Sequence, residues 1–319
     1  MNDFASVFRS IVDGYLIHLQ NGGDPVQLEH KPRRHLEGLV HCSALFDCPL
    51  KESLSRRNVP AKFPSLLNVN RPTALMRMLQ GNKIGEIMQE ALQWHANEDW
   101  ARMERHEIPI HTFSVLNEEY TSSDEWKLQG QMDSWVYWQG AGHGVVEYKH
   151  RLPNFKDKFP QPRLGDVFQL LAYVVIEEAY FNQLTIINTP AWADYGDPYK
   201  AYESWSLVKR DSGYVLVSEH GHEWANERNT PDFINEETLR KEIEHHLKYM
   251  QNPQELPPPV NLANNEEAWQ CRQVLRYPKG DGYGVMAPNC AFWCHSETVP
   301  DEGLKYQVID GEVMFKWEF

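Results

Sequence analysis

The residues best suited to chemistry gather in GQMDSWVYWQGAGHGVVEYKHR, residues 130–151, which carries Asp133, Glu147 and Lys149. The stretch VVEYKH reads as a strand. Because strand side chains alternate between faces, Glu147 and Lys149 share one side, and Val146 and Tyr148 share the other. The glycine-rich QGAGHG is a hairpin turn signal. It centres the hairpin near positions 141 to 142 and sets Asp133 opposite a residue near 150, at the same end of the ladder as Glu147 and Lys149. Carboxylates brought this close repel one another unless a divalent cation sits between their oxygens, and such hard oxygen ligands suit Mg²⁺ or Mn²⁺. A lysine beside the metal can hold and deprotonate a water. A lone ExK is also an ordinary i, i+2 surface ion pair that contributes little, so the surrounding elements decide between the two readings.

Two helices flank the hairpin in sequence. LGDVFQLLAYVVIEEAYF, residues 164–181, has a core face of Val167, Leu170, Leu171, Val174, Val175 and Ala179, and it places Gln169 and Tyr173 four apart, one above the other. Upstream, RPTALMRMLQGNKIGEIMQEALQWHANEDWARMERHE has helical spacing with a break expected near Gly81, and it stacks Glu86 and Glu90 one turn apart. An amphipathic helix is predicted over residues 1–20, ended by NGGDP, and a short one near Ser43. LTIINTPAW and YESWSLVKRDSGYVLVSEH predict three strands, the last two joined by KRDSG. A helix follows over about 231–250, where His245 and His246 point about 100° apart and are read as surface residues. LKYQVIDGEVMFKWEF reads as a small hairpin around Asp310 and Gly311.

With 319 residues, 41% hydrophobic content and 11 Trp, the chain can bury a real core. The net charge of -14 argues against a generally basic coat, although local patches and metals set the affinity for phosphates. No apolar run approaches the ~18 residues of a membrane span, so a cytoplasmic protein without a membrane partner is expected. Five cysteines in a long, Trp-rich chain favour thiols or a metal site over a disulfide framework.

Taken together, the acidic helix, GQMD, VVEYK and DVFQLLAY resemble the PD-(D/E)XK nuclease superfamily over about residues 75–180. Within it they resemble the RecB-like branch, which includes CRISPR-associated exonucleases and many phage recombination nucleases. The resemblance implies an α/β (α+β) fold with a mixed sheet: a restriction-endonuclease-like core over about 70–225, flanked by helices, within a single nuclease domain spanning 1–319. It also implies a cysteine-bearing lobe built from about 35–60 and 255–300. By the same resemblance Asp133 and Glu147 bind the catalytic metal, Lys149 acts on the nucleophile, and Gln169 and Tyr173 hold the DNA strand and order the site. Met132 stands where the family has proline. Gly85 occupies the histidine place of the helix motif GxxxHE, which leaves Glu86 as the candidate extra metal ligand and Glu90 second. Some relatives hold a four-iron (4Fe-4S) cluster by one early and three late cysteines, here Cys48 with Cys271, Cys290 and Cys294; zinc or plain thiols are the alternatives. The implied activity is Mg²⁺- or Mn²⁺-dependent exonuclease cleavage of DNA in recombination, repair or DNA processing. The implied partners are linear DNA, single-stranded or with ends, and a homo-oligomer or a recombination protein. The alternative is a non-catalytic nucleic-acid-binding or assembly protein that keeps the fold.

Overall fold

A computed structural model describes residues 4–29, 31–32, 34, 36–49, 53, 72–105, 112–151, 161–188, 201–251, 272–276, 284–288, 304–309 and 312–317. The chain divides into two compact units, Met1–Leu45 with Met76–Glu244, and Phe46–Leu75 with His245–Phe319.

Seven strands form the sheet of the first unit: β1 (Val40–His41), β2 (Phe113–Ser123), β3 (Leu128–Trp138), β4 (Gly142–Arg151), β5 (Phe181–Asn188), β6 (Tyr202–Arg210) and β7 (Gly213–Ser218). Their order is β1-β3-β4-β5-β6-β7, with β2 on the other edge of β3. The sheet is mixed, because β1 pairs with β3 and β4 with β5 in parallel while the remaining pairs are antiparallel. A parallel β4–β5 pair needs a crossover, and α3 (Leu164–Ile176) supplies it.

The two sheet faces carry different helices. On one face, α1 (Phe4–Gln20) and α2 (Pro72–Glu104) bury Phe8, Val12, Met88 and Leu92 against Val136, Val146 and Tyr148. Each large apolar side chain removed from water in this way contributes about 1.5–3 kcal/mol. Arg9 ties α1 to the sheet through the largely buried carboxylate of Glu219 at 2.5 Å. The other face receives α3, whose Val167, Leu170, Leu171 and Val174 are buried. The alternation of β4 therefore works as expected: Val146 and Tyr148 turn to the α1/α2 core, which leaves Glu147 and Lys149 for the α3 side.

Several expectations from the sequence are corrected. Helix α2 runs unbroken through Gly81. A glycine inside a helix costs about 1 kcal/mol, which the buried stripe of Ile84, Met88, Ala91 and Leu92 outweighs. The hairpin register also differs: Trp138 pairs with Gly142 and Ser134 with Val146, so Asp133 lies across from Glu147 rather than from a residue near 150. Gly140 and Gly142, both at positive φ, close a tight turn centred on position 140, one to two residues earlier than the glycine pattern suggested.

In the second unit, β8 (Arg272–Arg276), β9 (Gly284–Pro288), β10 (Leu304–Ile309) and β11 (Glu312–Trp317) form an antiparallel sheet of order β10-β11-β9-β8, so the expected terminal hairpin gains two further strands. Helix α4 (Glu236–Gln251), which belongs to the first unit as far as Glu244, is N-capped by Asn235, whose Oδ1 accepts the Thr238 N–H at 2.8 Å. His246 is fully buried rather than on the surface. Its spacing from Leu239 and Ile243 puts it on the helix's apolar face, whereas His245 is half-buried. Among the described residues no helix is long and apolar enough to cross a membrane.

Candidate active site

The site lies where the sheet forks. The β3–β4 ladder ends at Ser134–Val146, and further along the same edge of β3 the strand β1 pairs with Leu128 and Gln129. Gly130 to Asp133 therefore face a gap between two neighbours. Buried backbone polar groups must find partners, and side chains supply them here. Tyr173 Oη donates to Gln131 O at 3.0 Å, Gln89 Nε2 donates to Asp133 O at 2.8 Å, and the Tyr148 N–H donates to Asp133 Oδ2 at 2.7 Å. That last bond fixes the Asp133 carboxylate at the fork.

Glu147 and Lys149 project beside it. Lys149 Nζ donates to Glu147 Oε1 at 2.5 Å, and Gln169 Nε2 donates to the same oxygen at 2.8 Å. Gln169 also reaches Tyr173 Oη at 3.3 Å, so the pair on α3 is linked to both sides of the fork. The N-terminal end of α3 is anchored by the ion pair of Arg151 with Asp166 and by Asp166 Oδ2 accepting the Arg163 N–H at 2.9 Å. The side chain of Glu147 is only 3% exposed, and its Oε2 makes no hydrogen bond. A cavity of about 380 Å³ opens here, lined by Asp133, Glu147, Lys149 and Gln169 together with Lys31, His41, Ser43 and Glu118.

The electrostatics follow from burial. Loss of water and the charge of Asp133 push the Glu147 carboxyl up to about 8, against the pull of Lys149. Burial likewise raises Asp133, opposed by Lys149 and by the Tyr148 N–H. For Lys149 burial pulls downward, but the charges of Glu147 and Asp133 outweigh it, so the group stays an ammonium. Tyr173 is pushed well up by burial and by Glu147, and remains a neutral phenol. Two carboxylates held this close in low dielectric repel strongly. A cation between their oxygens relieves that repulsion.

The residues present fit such a cation. Asp133 and Glu147 offer hard oxygens, and the unbonded buried Oε2 is the atom a metal would satisfy. Among the described residues no group of three or more His, Cys, Asp and Glu side chains is gathered to hold a metal. Two carboxylates completed by waters and a substrate phosphate is the coordination that Mg²⁺ accepts.

The sequence-selected residues divide. Asp133, Glu147, Lys149, Gln169 and Tyr173 meet at the fork. Glu86 and Glu90 instead pair with Lys83 at 3.2 and 3.1 Å, and Glu90 accepts Tyr15 Oη at 2.8 Å. Gln89, one residue before Glu90, reaches the fork from α2. At Gly85, the histidine place of the helix motif, a Cβ would lie 3.5 Å from His150 Nε2, so a strand imidazole stands beside that position. Cys42 and Cys48 are both buried, Cys42 in the first unit and Cys48 in the second; Cys271, Cys290 and Cys294 lie outside the described residues.

Sequence reasoning passed over Gly130, Gln89, His41 and Glu118. The Gly130 signal lay inside GQMD: a Cβ there would stand 2.6 Å from Tyr173 Cε1 and 2.7 Å from its Oη. Glu118 has a left-handed backbone, φ 50°, at the one point where β2 and β3 miss a pair, across from Asp133. A non-glycine residue held there inside a strand is strained, and nothing in its type announces this.

No protein-family model matches the chain, and neither does any curated protein. Among solved structures the chain is similar to SSO0001, known from a crystal structure. Identity is 13% over 76% of this chain and 86% of that one, with a TM-score of 0.38. A likeness this slight assigns neither fold family nor activity.

Proposed function

We propose that this chain is a metal-dependent deoxyribonuclease with a PD-(D/E)XK core, acting on DNA ends as an exonuclease. One observation carries the reading: Asp133, Glu147 and Lys149 line a single cavity at the sheet fork, with Gln169 and Tyr173 of α3 bonded behind them. Spacing alone could have left an ExK pair on a wet surface. Here the glutamate is buried and the lysine partly so, and the glutamate keeps one oxygen without a hydrogen bond.

Asp133 and Glu147 would hold the metal, Mg²⁺ or Mn²⁺, which when bound activates a water and offsets charge on the phosphate. The chain's own groups do the rest. Tyr148 N–H and Gln89 fix the Asp133 carboxylate and its backbone. Gln169 and Lys149 both bind Glu147 Oε1. Lys149, an ammonium, provides a donor and a positive charge that orient the attacking water and stabilise charge developing on the phosphate oxygens. Tyr173 and Gln169 keep β3 and β4 at their separation, so the carboxylates keep theirs.

The test is digestion of end-labelled linear DNA, single- and double-stranded, alongside a closed circle, with Mg²⁺, Mn²⁺ or EDTA. Metal-dependent loss of the linear forms with the circle spared is expected. Folded protein that cleaves none of them would refute the proposal and favour a binding or assembly role. Iron content and the visible spectrum of anaerobically purified protein decide in the same preparation whether the cysteines hold a 4Fe-4S cluster.

A further inference from the structure

A row of rings leads away from the cavity across the sheet. On β4, His143, Val145 and Glu147 share one face, because Val146 and Tyr148 turn to the α1/α2 core. The register sets Trp135 of β3 opposite Val145, Tyr137 opposite His143 and, across the other edge of β3, Leu116 of β2 opposite Trp135. Directly opposed residues lie on one face, so all of these stand on the face that carries Glu147. Each strand enters the row two residues from one that lines the cavity: Leu116 from Glu118, Trp135 from Asp133, Val145 from Glu147. At the rise of an extended strand, the row begins roughly 7 Å from the carboxylates and reaches about 13 Å at Tyr137 and His143.

The rings are fixed in place yet face solvent. Trp135 and His143 stack with centroids 5.6 Å apart and planes 17° from parallel, and His143 Nε2 stands 2.6 Å from the Glu177 carbonyl oxygen at the end of α3. Tyr180 stands perpendicular to His143, centroids 5.3 Å apart, and its backbone N–H donates to His143 O at 2.9 Å. Its ring lies over Gly142, where a Cβ would stand 2.6 Å from the ring. Tyr180 is nonetheless 76% exposed, Leu116 47% and Tyr137 43%. Apolar groups exposed next to one another, unlike those scattered singly, mark an interaction surface.

We propose that Leu116, Trp135, Tyr137 and Tyr180 form a binding surface for single-stranded DNA, on which bases of the strand held at the cavity stack. DNA as the ligand rests on the nuclease reading; the surface decides which form of DNA. Two features select this occupant. The row is continuous with the cavity on three adjacent strands, so the next nucleotides of a strand held at the carboxylates can lie on it. It is also built largely of rings. Every base has a π face, and stacking on Trp or Tyr holds a strand without reading its sequence. A duplex keeps those faces within its own stack, so only an unpaired strand uses this surface. Stacking needs no positive charge, which suits a chain of net charge -14.

Fluorescence anisotropy in EDTA, where no cleavage intervenes, reads binding of labelled oligothymidylate, of an abasic strand of the same length and of a duplex. The full chain should bind oligothymidylate at least about five-fold more tightly than the abasic strand, the low end of what stacking one base contributes. That comparison needs no variant. Tyr137→Ser combined with Tyr180→Ser should lose the preference and leave duplex binding unchanged. Tyr137→Phe combined with Tyr180→Phe should keep the preference, because the ring rather than the hydroxyl stacks. Equal affinity of the parent for the two strands, binding of neither, or a Ser variant that keeps the preference overturns the proposal. So does a parent that sediments as a dimer and a Ser variant that sediments as a monomer with its DNA preference intact, since the face then covers a second copy. A parent that prefers oligothymidylate yet cleaves nothing with Mg²⁺ refutes the nuclease reading and leaves the surface standing; cleavage without the preference does the reverse.

Discussion

Replacing Gly130 by alanine tests the architecture of the fork directly. The added methyl would lie 2.6 Å from Tyr173 Cε1, 2.7 Å from its Oη and 3.0 Å from its Cζ, well inside van der Waals contact. Tyr173 has little room to retreat, because its side chain is buried between Gln169 and Gln131 O and is 1% exposed. Forcing a methyl into such a core costs about 1–3 kcal/mol. Losing the bond to Gln131 O, and leaving that carbonyl unpaired, adds about 1 kcal/mol or more. The sum, about 2–4 kcal/mol, lowers Tm by about 3–6 °C in a chain of this size. Urea and thermal unfolding followed by circular dichroism measure it. The companion variant Tyr173→Leu keeps bulk but removes the clashing ring edge, so Gly130→Ala should cost much less in the Tyr173→Leu background. That coupling is the signature of the contact. Cleavage should fall with stability in Gly130→Ala, because Tyr173 and Gln169 move together and Gln169 holds Glu147. A Gly130→Ala protein with the parent's unfolding midpoint, or a cost equal in both backgrounds, would refute the close approach.

Glu147→Gln should abolish metal-dependent cleavage without loss of metal-free stability, since the Glu147 carboxyl, raised to about 8, is already largely neutral at pH 7 and an amide of the same size replaces it; metal-supported digestion by this variant would sink the assignment. Glu86→Gln should change Mn²⁺ affinity and stability little, because Glu86 sits in an i, i+3 pair with the exposed Lys83, and such pairs contribute about 0–1 kcal/mol; titration calorimetry against Asp133→Asn, which should lose the metal, checks this. His150 is held neutral, its pKa lowered to about 4 by burial and by Arg151 and Lys149. Between about 4 and 6.5 the unfolded state therefore binds more protons than the folded one. Stability from this residue rises with pH across that window and is lost as pH falls, by about 3 kcal/mol at most. His150→Gln should flatten the acid limb of urea midpoints relative to the parent, and an unchanged limb would count against a buried neutral ring.

The sequence by itself determined which side chains could do chemistry and which faces they take. Two-residue alternation in VVEYKH was enough to separate Glu147 and Lys149 from Val146 and Tyr148, and four-residue spacing enough to stack Gln169 on Tyr173, because both follow from local backbone geometry. The strands joined by KRDSG and the core face of α3 were legible for the same reason. Local pattern could not show where β4 leaves β3, since that depends on β1 arriving from ninety residues upstream to take the vacated edge. Only the tertiary structure therefore placed Asp133 at a fork, chose Gln89 rather than a neighbouring glutamate to hold its carbonyl, and required glycine at 130. It also buried His246, and it set His41 and Glu118 around a cavity with the catalytic candidates. These are contacts between residues far apart in the chain, and no period within a short window encodes which distant side chain will fill a gap in a sheet.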